Sequence, residues 1–181
     1  MIVGFDTTVF PKLDYKKPDE FWRKIKELEE FFKKNKDNLA DLFQQGRLLK
    51  EAFNKLDGLI ESYTSKTCPY CGTVCCANKF GFPEYADVVA FLALGLKIPQ
   101  YDLAVDEEAI CQFIGDKGCV LSRPNRPYRC TWYFCDPLLL QLEIGPAKKY
   151  RSFIADLQNL SKARGDLMRL FYPIWKEAFK E

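Results

Sequence analysis

The chain has 181 residues, of which 48% are hydrophobic and 15 are Phe, so it can bury an apolar core without disulfide staples. Lys and Arg number 27 against 25 Asp and Glu, and this balance gives no electrostatic case for nucleic-acid binding. The absence of histidine removes the commonest general base, the imidazole metal ligand and any Ser–His or Cys–His nucleophile pair. A metal must therefore be held by thiolate, carboxylate, backbone or water.

The chain shows no segment typical of export or of a membrane span. Residues 1–10 carry Asp6 and lack the basic start and apolar run of a secretory signal peptide. The longest apolar stretch, residues 88–96, is well short of the roughly twenty residues that cross a bilayer. We therefore expect a cytoplasmic protein without a membrane partner, whose thiols stay reduced.

Two helices are predicted before the first cysteine. One begins at Pro18, a favoured first-turn position, and residues 35–38 interrupt it. Asp37 is expected to cap a second helix, which fades at residues 63–66. Apolar side chains recur at helical spacing in both helices: Phe21, Ile25, Leu28 and Phe32 in the first, and Leu39, Leu42, Leu49, Phe53, Leu56 and Ile60 in the second.

Residues 68–135 contain all eight cysteines and many turn residues. We expect only short elements here because Gly and Pro interrupt the apolar pattern. In chain order these are a helix at residues 83–94 ended by Gly95, a helix capped by Asp106 that carries Cys111, a turn at Gly115 and Gly118, and a strand at residues 119–121.

The remainder of the chain is expected to be helical. Asp136 and Pro137 are typical of the cap and first turn of a short helix, and a long helix follows Pro146. Pro173 should kink or interrupt the long helix near Tyr172. The long helix carries an apolar seam that needs a helical partner, and the two N-terminal helices are the obvious choice: Tyr150, Phe153, Leu157, Leu160, Leu167, Phe171 and Ile174.

These patterns predict a mainly α protein in which N- and C-terminal helices form a bundle around a small cysteine-rich metal-binding module. The expected boundaries are residues 1–63 for the N-terminal helical segment and 64–136 for the module. Residues 137–181 form the C-terminal helical segment, which is expected to pack on the N-terminal helices.

The cysteines fall into two groups, with Cys68, Cys71, Cys75 and Cys76 in the first and Cys111, Cys119, Cys130 and Cys135 in the second. Cysteines two residues apart can turn both sulfurs toward one centre. Disulfides would need an oxidising compartment, and inert buried thiols would not cluster in this way. A thioredoxin-like site would need a preceding strand, and a zinc ribbon a second C-x-x-C. Metal ligation by all eight thiols is therefore the favoured interpretation.

Adjacent side chains usually diverge, so Cys75 and Cys76 are not expected to serve one ion. The simplest division places Cys68, Cys71, one of that pair and one distal cysteine at one site, and the remaining four at a second. One cluster held by four or five thiols is the rival. Thiolate ligation suits both zinc and an iron–sulfur cluster, and both stay open.

Charged and aromatic residues near the distal cysteines have two interpretations each. Arg126, with Arg123 and Arg129, could offset thiolate charge or bind an anionic ligand or cofactor, but we favour a role for Arg126 in bracing the loop through backbone carbonyls. The aromatic residues 132–134 are expected to shield the site and join the core. Five acids are interpreted as solvated first helical turns: Glu84, Asp87, Asp106, Glu107 and Glu108.

The order of these elements resembles a bacterial and archaeal family with a C-x-x-C-x-x-C-C signature, the zinc- or iron-chelating domain family. The resemblance runs from residue 68 to residue 135 and includes the first cysteine cluster and Glu84 in the following helix. It continues with a Cys-x-Phe element at Cys111 and an Arg-Pro-x-x-Cys element that ends at Cys130. The spacing from Cys71 to Cys75 is one residue longer than the signature, and Thr131 stands where the family often has Arg.

The resemblance implies chelation of zinc or iron by the cysteines, without a defined reaction. Flagellin lysine methylases are similar in their cysteine region and are thought to carry an iron–sulfur cluster. An iron–sulfur-dependent protein-modifying enzyme is therefore the alternative, although no segment is typical of a methyl-donor site or of a glycine-rich phosphate loop. We predict a metal-binding protein whose zinc or iron–sulfur centre serves electron transfer or the binding of a protein partner.

Overall fold

The computed structural model describes residues 5–70 and 75–179, and within these ranges the protein is mainly helical, as predicted. The α-helices are α1 (Pro18–Lys34), α2 (Ala40–Thr67), α3 (Asn78–Gly81), α4 (Tyr85–Ala93), α5 (Arg129–Trp132), α6 (Asp136–Glu143) and α7 (Ala147–Phe179). Short 3-10 turns lie at Thr7–Val9, Lys36–Leu39, Cys68–Tyr70 and Arg123–Asn125. Strands β1 (Ile114–Gly115) and β2 (Gly118–Cys119) pair antiparallel, with Ile114 opposite Cys119.

Helix α1 begins at Pro18 as predicted, and its apolar stripe is buried at all four expected positions. Acidic residues lie in its first turn and lysines in its last, which complements the helix dipole. The predicted cap at Asp37 is wrong, because this residue lies inside the 3-10 turn and α2 begins at Ala40 without a side-chain cap. Helix α2 also continues past residues 63–66 to Thr67, where the Thr64 hydroxyl donates to the Ile60 carbonyl at 3.0 Å.

Helix α2 packs along α7 more extensively than along any other described element. The Gln45 amide also donates to the Ala163 carbonyl at 3.1 Å. The expected interruption of α7 does not occur, because Pro173 lies on the exposed side of a continuous helix. Trp175, which the predicted seam did not include, is buried in α7. Four residues from the centre of the seam are buried as well: Phe153, Leu160, Leu167 and Phe171.

Helix α4 is buried against α1, α2 and α7, and it places the cysteine-bearing chain beside the helices. Gly46 of α2 permits a close approach, because a Cβ there would lie 2.2 Å from the carbonyl oxygen of Ala93. The predicted stop at Gly95 is confirmed, since this residue has φ +70° directly after the helix. Within the described ranges, every helix is too short or too polar to cross a membrane.

Residues 102–137, which we call the cysteine segment, fold differently. The expected helix capped by Asp106 is wrong, because residues 103–109 form turns in which Asp106 accepts from the Glu108 amide at 3.0 Å. The predicted strand is confirmed at Cys119, and Gly118 makes the turn before it with φ +107°. Asp136 is the first residue of α6, and Cys135 occupies the cap position expected for it.

Candidate metal centre

A cavity of about 140 Å³ opens where the end of α2 meets residues 75–81, the β1–β2 hairpin and α5. We call it the cysteine cavity, because six cysteines line it: Cys68, Cys75, Cys76, Cys111, Cys119 and Cys130. Cys135 lies beside Cys75, outside this lining. The predicted ligand Cys71 lies outside the described residues. Both cysteine groups of the sequence therefore meet at one place.

Backbone hydrogen bonds join the two groups. The Cys111 amide donates to the Cys76 carbonyl at 2.8 Å, and the Asn78 amide donates to the Ala109 carbonyl at 2.8 Å. The buried Asn78 side chain donates to the Val105 carbonyl and accepts from the Gln112 amide. Residues 75–78 and 105–112 are thus held side by side, because each satisfies polar groups of the other.

The adjacent thiols of Cys75 and Cys76 face different neighbours. Cys75 interacts with Cys135 as well as with Cys76. Cys76 faces Cys68, Cys111 and Cys119, and Cys130 also interacts with Cys76, Cys111 and Cys119. The two thiols nevertheless hydrogen-bond to each other, so the divergence that the sequence analysis expected of these neighbours is not found.

Burial disfavours the thiolate form of these cysteines. Burial, followed by the neighbouring thiols, raises the pKa of Cys75 to about 12. Loss of water around the sulfur raises the pKa of Cys130 to about 12 as well, although the residue as a whole is exposed. Burial is also the main cause that raises the pKa of Cys76 and of Cys111. None of Cys75, Cys76, Cys111, Cys119, Cys130 and Cys135 forms a disulfide. A bound cation would reverse this balance, because it stabilises the charged form of each thiol that it contacts.

The donor chemistry and the room around the sulfurs suit a thiolate-bound metal. A Cβ at Gly81 would lie 2.6 Å from Cys111 Sγ, so glycine leaves the space that this sulfur occupies. Across residues 5–70 and 75–179, no three Cys, Asp or Glu side chains are arranged to hold a metal ion as they stand. Ligation by these residues therefore requires side-chain rotation within the cavity.

Two arginines of the cysteine segment are fixed by carboxylates of α2. Arg123 is 1% exposed, donates from Nε to Asp57 Oδ1 at 2.7 Å and also bonds Glu61. Arg126 donates to the Leu121 carbonyl at 2.9 Å and pairs with Glu61 at 3.1 Å. The carbonyl contact is the bracing role favoured above, whereas cofactor binding by Arg126 stays a prediction. The sequence analysis missed Asp57 and Glu61, although two acids one helical turn apart near the first cysteine were a usable signal.

The aromatic run at 132–134 departs from its expected shielding role. Trp132 is 44% exposed and Tyr133 is 43% exposed, so neither joins the core. Phe134 alone packs inward, with its ring centroid 5.2 Å from that of Phe153 in α7. Tyr133 nevertheless lines the cysteine cavity. Too few apolar side chains lie around residues 132–134 to bury all three rings.

The interpretation of the acidic residues as solvated turns is wrong for Asp87. This carboxylate is 4% exposed and accepts from the Glu84 and Tyr128 amides at 2.9 and 3.1 Å. It also pairs with Arg164 of α7 at 3.1 Å, and the Arg164 guanidinium lies 4.4 Å from the Tyr128 ring centroid. Asp87 thus ties α4 and α7 to the residues before Cys130. Arg164 was missed because it lies on the apolar seam of α7.

The acids at 106–108 lie in turns and not in the first turn of a helix. Glu107 accepts from the Tyr15 hydroxyl at 2.7 Å and pairs with Lys16 at 2.9 Å. Glu108 pairs with Lys79 of α3 at 2.5 Å. Glu107 thus joins the cysteine segment to the N-terminal residues, and Glu108 joins it to α3.

In comparisons with known proteins, no family model, no curated protein and no solved structure matches the chain. The resemblance to the zinc- or iron-chelating family therefore stays a prediction. Function must be argued from the site itself.

Proposed function

We propose that this chain is a metal-binding protein whose cysteines hold zinc or an iron–sulfur cluster, in a module carried by the flanking helices. One observation carries the proposal. The cysteine segment, which is described throughout, contains four cysteines and no buried large apolar side chain, yet three of these thiols face the first cysteine group across one cavity.

A segment of this kind needs a source of stability other than apolar burial. Its buried residues are Arg123, Pro127 and Thr131, and the Thr131 hydroxyl has no hydrogen-bond partner among the described residues. Small modules without a core are commonly held by a metal, since the free energy of ligation is part of the folding free energy. The grouping of the thiols favours ligation of a metal over the alternative that each thiol is an independent, inert packing residue.

The contacts also support a particular division of the ligands. One site would take Cys76, Cys111, Cys119 and Cys130, which interact with one another around the cavity, while Cys76 also interacts with Cys68 of the other site. The other would take Cys68, Cys71, Cys75 and Cys135, in which the contact of Cys75 with Cys135 is described and the membership of Cys71 rests on its spacing from Cys68. Zinc would give each site a structural role, and an iron–sulfur cluster would supply electron transfer.

The test is metal and labile-sulfide analysis with a visible absorption spectrum on anaerobically purified protein. Iron with sulfide supports a cluster, and bound zinc without colour supports the structural role. A sample with neither metal after purification, and none taken up on reconstitution, contradicts the proposal.

Two variants test the division. Cys130→Ser and Cys135→Ser should each remove the metal of one site only, so each serves as the control for the other. If Cys135→Ser keeps the full metal content while Cys130→Ser loses all of it, one cluster of four or five thiols is present instead.

A further inference from the structure

A second cavity of about 420 Å³ lies beside the cysteine cavity, between residues 7–15, residues 79–87 and the start of α5. We call it the N-terminal cavity. Phe80 and Arg129 line both cavities, so these two side chains form the wall between them. Metal binding uses none of the other residues of the N-terminal cavity.

Arg129 is exposed, and it differs from the buried or half-buried Arg123, Arg126 and Arg164 in its partners. Its guanidinium carbon lies 4.1 Å from the Phe80 ring centroid and 5.4 Å from that of Tyr133. Arg123, Arg126 and Arg164 all pair with carboxylates, whereas Arg129 makes no hydrogen bond or ion pair from its side chain to any described residue. A guanidinium that lies over an aromatic ring can still offer its N–H donors to a planar anion.

The other charged residues of the cavity leave the Arg129 guanidinium free to pair with a ligand anion. Lys79 also lines the cavity but is neutralised by Glu108 at 2.5 Å, and Lys12 lies at the cavity with its ammonium exposed. Two carboxylates also line the cavity. Asp87 pairs with Arg164, and Glu84 interacts with Arg129 through space without forming an ion pair. A ligand anion would replace that distant interaction with direct hydrogen bonds.

The body of the cavity is apolar and aromatic. Tyr15 and Phe82 stack with ring centroids 4.3 Å apart, and Phe10 stacks on Tyr85 at 5.7 Å. All four residues line the cavity. An apolar or aromatic group fits such walls, because its burial removes ring surface from water and permits ring stacking.

From this arrangement we infer that the N-terminal cavity is a binding site for a small organic anion, in which an aromatic or apolar body lies against the rings and a carboxylate or phosphate ester pairs with Arg129. Lys12 adds positive charge at the entrance. The ligand would lie directly across the Phe80–Arg129 wall from the cysteines. This inference does not depend on a metal being bound.

The test is calorimetric titration of the full-length chain with phenyl phosphate, benzoate and inorganic phosphate. Phenyl phosphate or benzoate should bind at least about tenfold more tightly than inorganic phosphate, because only these two have a ring to bury. Preference between the two distinguishes a phosphate ester from a carboxylate as the natural group. Equal affinity for all three, or no binding, would overturn the inference.

Three variants locate the site. Arg129→Ala should weaken binding at least about tenfold, and Arg151→Ala, on the exposed face of α7, should leave it unchanged. Glu84→Gln should tighten binding, since it removes the carboxylate that competes for Arg129, and a merely structural role of Arg129 would not produce this gain. Equal losses in Arg129→Ala and Arg151→Ala, or weaker binding in Glu84→Gln, would contradict the assignment.

Discussion

The helices and the cysteine segment of this protein are stabilised in opposite ways. Helices α1, α2, α4 and α7 bury continuous apolar faces against one another. The cysteine segment buries an arginine, a proline and a threonine, and it is attached through ion pairs to Asp57 and Glu61 and through a backbone hydrogen bond to Asp87. The difference teaches that one part of the chain folds by excluding water, whereas the other is held mainly by charge pairs and hydrogen bonds and, on our proposal, by a metal.

The largest effect is expected in the helical part. Phe171→Ala should lower the free energy of unfolding by about 4 kcal/mol, because the ring is fully buried between Phe10 and Phe32 and its removal leaves a cavity. Thermal denaturation followed by circular dichroism measures the loss. Leu170→Ala, which changes a 42% exposed neighbour, is the control and should cost less than about 1 kcal/mol. Equal losses in both variants would contradict the assignment of the core.

The next effect should be confined to the attachment of the cysteine segment. The double variant Asp57→Asn and Glu61→Gln leaves the buried Arg123 guanidinium without a carboxylate and should cost about 2–3 kcal/mol, discounted because both carboxylates are half-exposed. Hydrogen exchange should rise around Arg123 and not in α7. Glu27→Gln, which breaks an exposed pair with Arg23, should change stability by less than about 0.5 kcal/mol. Exchange that rises equally in α7 would contradict this separation.

Alanine substitutions at two glycines should have smaller effects, and the two variants should differ in whether they lose stability or metal. Gly46→Ala places a methyl group against the rigid Ala93 backbone and should cost about 2 kcal/mol in chemical denaturation, with metal content unchanged. Gly81→Ala places it against the movable Cys111 sulfur, so it should cost less stability but reduce metal content. If Gly81→Ala lost more stability and Gly46→Ala lost more metal, then Gly81, not Gly46, would lie at a rigid contact.

The smallest effect concerns pH in the metal-free protein. Burial raises the pKa of Cys130 to about 12 from the ordinary 9.0. The unfolded chain then loses this proton first, so stability is full below pH 9 and falls as pH rises from 9 toward 12. Denaturant midpoints at pH 8 and pH 10 should fall less in Cys130→Ala than in the wild type. An identical fall in both proteins would mean that the folded state does not hold this thiol in its protonated form.

The apolar stripes of α1 and α7 and the stop at Gly95 followed from the sequence, because helical periodicity and a left-handed glycine are local signals. The cap at Asp37 and the helix at Asp106 did not occur. Asp106 instead closes a turn by accepting from an amide two residues on, a choice that its side chain allows equally well.

The contacts that position the candidate site were less accessible to sequence reasoning. Clustering and spacing predicted that the cysteines would converge, but the partners of Arg123 and Asp87 lie on helices distant in sequence. Arg164 occupies a seam position where an apolar residue is expected, and Asp87 a first turn where acids are usually solvated. Their pairing is set by the packing of α4 against α7, which no local pattern encodes.

The most direct test of the account is hydrogen exchange, measured by mass spectrometry, of the metal-loaded chain before and after chelation under anaerobic conditions. We predict that metal removal accelerates exchange throughout residues 102–137 while α2 and α7 keep their protection, because only the cysteine segment lacks an apolar core of its own. Unchanged exchange in residues 102–137 after the metal has left would contradict the claim that thiolate ligation stabilises this part of the protein.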